Sequence, residues 1–270
     1  MKQLIYITTF MKNFLLYIFT ISSFIFLNAQ NTKAFVVNYD IYLNSDIPNI
    51  QNGKLLINSS KSESFFIISG FKRINDVNDI NKNAEDNADL RIQMKSNKLR
   101  FVHVKPETDS LFSTSKYFSN NYLISESIPK IDWVLLDEEK NIDGFVVAKA
   151  SATFRGRKYY AWYSTTYPLS FGPWKFNGLP GLIFEVYDET NTYRWIIKSI
   201  KKENDVPFNY NINEYNKISL KKYVEVKYND DEITTFLKAK LPRGVKISSE
   251  EKGQRNDIEL IYEWENNTKK

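Results

Sequence analysis

The sequence predicts a mainly β protein, a β-rich α+β domain with a curved antiparallel sheet and one or two C-terminal helices packed on or beside it. Three observations predict this fold class. Short segments alternate apolar and polar residues with a period of two, turn residues separate these segments, and helical spacing emerges only in the C-terminal third. Short strands joined by turns are typical of one continuous antiparallel sheet.

The N-terminus has the composition of a signal peptide. Residues 1–30 contain no acidic side chain, and basic residues precede an apolar run from Phe14 to Leu27. This run is shorter than the roughly 20 residues that a membrane-spanning helix needs. We therefore expect residues 1–29 to be a signal peptide, cleaved after Ala29 or Gln30, and residues 30–270 to form a single domain. Residues 1–10 are interpreted as a misassigned start, and an N-terminal membrane anchor is the alternative.

Charge and cysteine content restrict the function classes. The chain has no cysteine, which excludes disulfides and the acylated cysteine of a bacterial lipoprotein. Its net charge of +5 is spread among interspersed signs, so no nucleic-acid partner is expected. The predicted product is periplasmic or secreted, not lipid-anchored, and not membrane-spanning after cleavage of its signal.

The strands follow one another along most of the chain. The first is predicted over Phe35–Leu43, with Phe35 and every second residue after it buried, and a turn at Pro48, Asn52 and Gly53 follows. The polar run 75–89 predicts a solvated loop, and Asp143-Gly144 and Arg155-Gly156 predict tight turns. Further strands are predicted over Lys54–Asn58, Ser64–Ser69, Leu90–Lys95, Leu99–Lys105, Tyr117–Ile124, Ile131–Leu136, Phe145–Phe154, Lys158–Ser164, Leu182–Tyr187 and Tyr193–Ile200.

The C-terminal third differs from the rest. Ser219 is suited to cap a helix over Leu220–Tyr228, and a second helix is predicted over Glu232–Lys240. Asp257–Trp264 alternates again and predicts a strand that returns to the sheet.

Glycine and proline are concentrated between residues 155 and 188, where the backbone is unusually constrained. Such residues are used where the chain turns tightly or where another backbone passes closely. The segment is interpreted mainly as a structural crossover loop, and alternatively as the rigid lip of a binding cleft. We predict that Gly181→Val disrupts folding rather than selectively abolishing binding. The structural motif consists of Gly172, Pro173, Gly178, Leu179, Pro180, Gly181, Leu182 and Ile183.

The hexamer from Gly178 to Ile183 is similar to the signature of the GLPGLI family of exported bacterial proteins. The resemblance extends to flanking segments at Trp133, Gly156-Arg157, Ala161-Trp162-Tyr163, Tyr167-Pro168, Gly172-Pro173-Trp174 and Asp257–Leu260. It implies a β-rich fold and export, but no settled activity. Members often carry cysteine in the strand that here spans residues 144–150, so a thiol-dependent role does not transfer to this chain.

The sequence indicates no catalytic set, no cofactor and no metal site. His103 is the only histidine, and a lone histidine in a strand is expected to be packed. Acidic runs at 137–139 and 76–89 lack the spacing of a calcium loop and are interpreted as solvated. Glu185 and Asp188 are the nearest candidates for a carboxylate-dependent hydrolase, which is the alternative function.

Aromatic and basic residues indicate a binding site instead. The candidate binding residues are Arg155, Arg157, Trp162, Trp174 and Phe176, because aromatic surface beside arginine commonly holds peptides, sugars or lipid-like ligands. The predicted function is therefore non-enzymatic binding of a small hydrophobic or peptide-like ligand, or of an envelope membrane-protein partner. By analogy with lipoprotein carriers, a half-barrel-like sheet can hold acyl chains under a helical lid. An accessory role with an outer-membrane transporter is the remaining alternative.

Overall fold

The computed structural model describes residues 34–44, 48–73, 98–208, 210–228 and 255–265. The signal segment, the loop at 75–89, the strand at Leu90–Lys95 and the helix at Glu232–Lys240 all lie outside these residues. The described residues form twelve strands and one α-helix, which confirms the mainly β prediction. The strands are β1 Ala34–Leu43, β2 Asn49–Asn58, β3 Glu63–Arg73, β4 Arg100–Lys105, β5 Ser110–Tyr117, β6 Asn120–Glu126, β7 Val134–Ile142, β8 Phe145–Phe154, β9 Arg157–Ser164, β10 Leu182–Asp188, β11 Tyr193–Glu203 and β12 Asn216–Ser219; the helix is α1 Leu220–Tyr228.

All twelve strands belong to one open, curved sheet in the order β12-β6-β5-β4-β3-β2-β1-β11-β10-β9-β8-β7. It consists of two meanders, β1–β6 and β7–β11, which β1 and β11 join by pairing along their lengths. Neighbouring strands are antiparallel as predicted, except that the short β12 pairs with β6 in parallel. No helix in the described part of the chain is long and apolar enough to cross a membrane.

The main hydrophobic core lies on the face of the sheet that carries Tyr39, Phe66, Val102 and Trp195, called the inner face. The predicted alternation of β1 is confirmed, since Val37, Tyr39 and Ile41 are all buried there. The opposite, outer face carries a second cluster around Phe65 and Phe101, against which Phe208, Tyr210 and Tyr215 pack. Both faces of the middle strands are therefore buried.

Two segments that were not predicted as strand belong to strands in the structure. The prediction of a turn at Asn52 and Gly53 is wrong, because both residues lie inside β2. A Cβ at Gly53 would lie 2.6 Å from the ring of Phe66, so this glycine makes room for a side chain on the neighbouring strand. The acidic residues 137–139 are exposed, as expected of a solvated run, but they continue β7 at the edge of the sheet and do not form a loop. Charged side chains on an edge strand oppose pairing with other chains.

The turn at Asp143-Gly144 is confirmed, with φ of 50° and 85° at these two residues. The predicted strand Tyr117–Ile124 instead straddles a turn, because β5 ends at Tyr117 and Phe118 has a φ of 50°. Strand β5 was not predicted, because its serine-rich composition gives a weak strand signal.

The C-terminal elements pack over one end of the inner face. Helix α1 has the predicted bounds, and the Ser219 hydroxyl accepts the amide of Lys222 at 3.4 Å. Its Leu220 and Tyr223 pack against Ile124 of β6. The prediction of a strand at Asp257–Trp264 is wrong: residues 255–265, here called the C-terminal strap, pair with no strand. The strap instead binds a turn, as described below.

Candidate functional site

The glycine- and proline-rich segment, residues 165–181, forms a loop that returns across the inner face between β9 and β10, here called the motif loop. Backbone hydrogen bonds hold it to itself and to the next strand. The amide of Gly178 donates to Ser170 O at 3.1 Å, and the amide of Leu182 donates to Tyr167 O at 2.9 Å. The Trp133 indole donates to Asn177 O at 2.8 Å. The loop is therefore internally fixed, as expected of a structural motif.

Glycines in this segment are required by close approaches. A Cβ at Gly181 would lie 2.3 Å from the backbone oxygen of Ser164, and one at Gly172 would lie 2.7 Å from the side chain of Ile183. Gly178 has a φ of 90°, which glycine adopts without strain. The buried Leu179, Leu182 and Ile183 anchor the hexamer in the core. This geometry supports the structural interpretation of the motif.

The motif loop delivers Trp174 and Phe176 to the inner face. The Trp174 ring stacks on Trp195 with centroids 6.1 Å apart, and Phe176 packs edge-on against Tyr159 at 4.9 Å. Phe176 is 2% exposed and Trp174 is 9% exposed, so only Trp174 retains an accessible edge. These two candidate binding residues lie together, but most of their surface serves the core.

A buried ionic cluster surrounds Arg155, another candidate binding residue. Its guanidinium contacts Glu126 at the end of β6 and Glu259 of the strap. The ammonium of Lys175, on the motif loop, lies 2.6 Å from Glu126 and 2.9 Å from Glu259. Burial alone would lower the pKa of Arg155, but attraction to Glu259 and Glu126 raises it above the ordinary value. All four side chains are strongly buried. Removing any one of them would leave a buried ionic partner of opposite sign without its full set of contacts.

Arg155 and Arg157 also anchor the C-terminal strap. Arg155 O, in the tight turn between β8 and β9, accepts the amides of Leu260 at 2.9 Å and Ile261 at 3.2 Å. The Arg157 guanidinium donates to Asp257 O at 2.6 Å. The resemblance at Asp257–Leu260 thus marks a docked strap and not a strand, because the turn at Arg155 supplies the acceptor that a neighbouring strand would otherwise provide.

Trp162 lies apart from the other candidate binding residues. It faces outward between Lys140 and Lys149, whose ammonium groups lie 4.3 Å and 5.3 Å from its ring centre. Helix α1 does not cover it, because α1 packs against β6. Trp162 points to the outer face of the sheet, because alternate residues of a strand point to opposite faces. Trp174 packs on the inner face, so the two rings cannot line one site.

The two carboxylates of the hydrolase alternative also lie apart from each other in the structure. Glu185 faces outward and pairs with Lys140 at 2.5 Å and Arg194 at 2.5 Å. Asp188 faces inward, where Arg157 lies at 3.2 Å and the amide of Tyr193 donates to it at 2.8 Å. Carboxylates on opposite faces cannot flank one glycosidic bond.

His103 is packed on the outer face, as expected of a lone histidine in a strand. Its Nε2 lies 3.2 Å from Glu63 and its Nδ1 lies 3.1 Å from the Tyr210 hydroxyl. Burial lowers the pKa of His103, although the hydrogen bond and the charge of Glu63 act in the opposite direction. Its ring also contacts Phe65 and Phe208 edge-on. Among the described residues, no group of acidic or histidine side chains is arranged to hold a metal ion.

A cavity of about 260 Å³ lies between the inner face, the motif loop, α1 and the strap. The strands contribute an apolar wall, the motif loop contributes Trp174 and Lys175, and the C-terminal elements contribute Tyr223, Lys227 and Ile258. Trp174 is the one candidate binding residue that lines it. The other wall residues were not predicted, because they are ordinary strand positions that only the sheet order brings together. The inner-face residues of this wall include Ile41, Leu43, Gln51, Ile68, Arg100, Val102, Ser113, Ser115, Ile124 and Trp195.

Comparison with known proteins gives one family match. A model described as a protein of unknown function (Porph_ging) matches residues 152–185, which contain the whole motif loop and hexamer. The match is consistent with the resemblance to GLPGLI-type proteins. No curated protein matches the chain.

Three solved structures illustrate the structural similarities. Two structures of PNGF-II, in different space groups, have TM-scores of 0.48 and 0.47 and identities of 13% and 12%. Each alignment covers 73% of this chain, which spans only 33% of the PNGF-II chain. An uncharacterised conserved protein from Thermus thermophilus has a TM-score of 0.37 and 8% identity, covering 70% of this chain and 92% of that one. Similarities this low carry no functional argument.

Proposed function

We propose that this chain is an exported envelope protein, periplasmic or secreted, that binds a small hydrophobic or peptide-like ligand in the cavity under the motif loop and the strap. The observation that carries the proposal is the cavity itself. Its walls are mainly apolar, and a few hydroxyl and charged groups converge on it, which is the usual composition of a ligand site.

The volume sets the size of the ligand. Pockets for drug-sized molecules usually enclose about 300–1,000 Å³, so a cavity of about 260 Å³ suits a smaller molecule or one apolar group of a larger one. Either an aliphatic chain or the apolar side chain of a peptide fulfils this condition. The stacked rings of Trp174 and Trp195 provide a flat apolar wall for such a group.

The arrangement favours binding over the hydrolase alternative. In this chain, an apolar groove lined by Trp162 or Trp174 would favour binding, whereas two carboxylates facing each other in a cleft would favour hydrolysis. Trp174 lines the cavity, whereas Glu185 and Asp188 lie on opposite faces and are already paired with cations. An accessory role with a transporter stays a prediction, which a pulldown from solubilised envelope tests.

Filling the cavity tests the proposal. Ser113 is buried on the inner face of β5 and lines the cavity, so Ser113→Leu should occupy its space. Ser151→Leu, on the outer side of β8, adds the same side chain away from it. Native mass spectrometry of protein isolated from the envelope should detect a small bound molecule on the wild type and on Ser151→Leu, but not on Ser113→Leu. A ligand-free wild type, with no partner captured by crosslinking, would contradict the proposal.

A further inference from the structure

Five charged side chains line the cavity, and four of them form ion pairs with one another. Lys175 contacts Glu259 at 2.9 Å, and Lys227 forms an ion pair with Asp257. These two pairs neutralise the wall made by the motif loop, α1 and the strap. The fifth charged residue of the lining, Arg100, forms no ion pair with any residue that the structure describes.

Arg100 is placed on the cavity side by the strand register. It lies opposite Ile68, which in turn lies opposite Gly53, and all three positions belong to the inner face. The side chain as a whole is exposed, yet the protein around the guanidinium lowers its pKa by desolvation. An arginine remains protonated under such conditions, so the lining retains one positive charge that no described residue pairs with.

This inference rests on the proposed function of the cavity and specifies its ligand class. We infer that the cavity binds an amphipathic carboxylate, whose apolar group lies against Ile41, Ile68 and Trp195 and whose carboxylate pairs with Arg100. A guanidinium presents parallel N–H groups that match a carboxylate, and such charge-assisted pairs are stronger than neutral hydrogen bonds. Both a fatty acid and the free C-terminus of a peptide ending in an apolar residue have this chemistry.

Calorimetric titration of the mature protein with octanoate, octanol and octylamine separates charge from apolar burial. Octanoate should bind about tenfold more tightly than octanol, because only the carboxylate pairs with Arg100. Arg100→Gln should remove that advantage, and Arg100→Lys should restore part of it. Lys105→Gln removes a positive charge from the same strand outside the cavity lining, and should leave octanoate binding unchanged.

Two further measurements locate the ligand and identify its source. Octanoate should change the tryptophan emission, because Trp174 and Trp195 line the cavity. A tripeptide ending in phenylalanine, titrated with a free and with an amidated C-terminus, distinguishes a peptide ligand from a fatty acid. Tighter binding of the free peptide than of octanoate would assign the site to peptide termini, and the reverse order would assign it to fatty acids.

The outcomes separate this inference from the proposed function. Equal binding of octanoate and octanol, unaffected by Arg100→Gln, would overturn the carboxylate assignment and leave an apolar ligand site intact. Tighter binding of octylamine would also overturn it, by reversing the preferred charge. If none of these probes, including the peptides, binds the wild type, the inference and the proposed ligand cavity both fail.

Discussion

Replacing Gly181 by alanine adds one methyl group at the closest backbone approach in the motif loop. That Cβ would lie 2.3 Å from Ser164 O and 2.6 Å from the carbonyl carbon of the same residue. Neither atom belongs to a flexible side chain, so the loop must move away from β9. Overpacking of this kind costs about 1–3 kcal/mol. Displacing the Leu182 amide from Tyr167 O adds about 1 kcal/mol.

The expected loss in the free energy of unfolding is therefore about 3 kcal/mol, a large part of the roughly 5–15 kcal/mol that stabilises a typical domain. For a chain of this size it corresponds to a fall in Tm of about 6–12 °C. The larger Gly181→Val change should act in the same direction and prevent stable folding. Thermal unfolding followed by circular dichroism measures both variants.

Gly144→Ala is the matched control. Gly144 has a φ of 85°, so alanine is strained there, but no atom lies within 4 Å of the added Cβ. Backbone strain alone costs about 1 kcal/mol. Two results would refute this prediction: equal destabilisation by Gly144→Ala and Gly181→Ala, or a Gly181→Val variant that melts normally and only loses ligand binding.

Two further predictions concern buried charges. Lys175→Met leaves Glu126 and Glu259 with one buried cation fewer, and it should lower the free energy of unfolding, measured by urea denaturation, by about 3 kcal/mol. The control Lys198→Met removes an exposed cation and should leave the unfolding midpoint unchanged. Equal effects of the two variants would show that burial of the cluster is unimportant. Because the pKa of His103 is lower in the folded state, the unfolded state takes up its proton at a higher pH. The contribution of His103 to the free energy of unfolding should thus be present above about pH 6.5 and decrease as the pH falls below that value. His103→Gln should flatten that slope, and an unchanged slope would contradict the assignment.

The sequence predicted those parts of the fold that local patterns determine. Alternation in β1, the turn at Asp143-Gly144 and the capped helix α1 depend on neighbouring residues, and all three were found as predicted. Gly53 was misinterpreted as a turn residue. Glycine is needed there because the ring of Phe66, on the neighbouring strand, fills the space of a side chain, and no local pattern reveals that contact. The prediction of a strand in the strap was wrong for a similar reason, since the hydrogen-bond acceptor of the strap is Arg155, about a hundred positions earlier in the chain.

The candidate site was predicted less well than the fold. Composition drew attention to the aromatic and basic residues near the motif, and these mostly serve packing and ion pairs. Arg100 and Ile68 gave no signal, because their place in the cavity wall depends on the order of the strands and on which face each residue occupies. In β9, Tyr159 and Trp162 point to opposite faces of the sheet, and this separates Trp162 from the candidate binding residues that pack on the inner face.

The pairing of β1 with β11 has a consequence for how the chain acquires its structure. Asn38 and Ser199, which bond across this pair, are 161 positions apart. Contacts so distant in sequence form late and slowly, because the intervening chain must first be brought together. Until β11 arrives, β1 presents an unpaired edge at what becomes the middle of the sheet, open to other chains. A protein truncated before Tyr193 should therefore aggregate rather than fold into a smaller sheet.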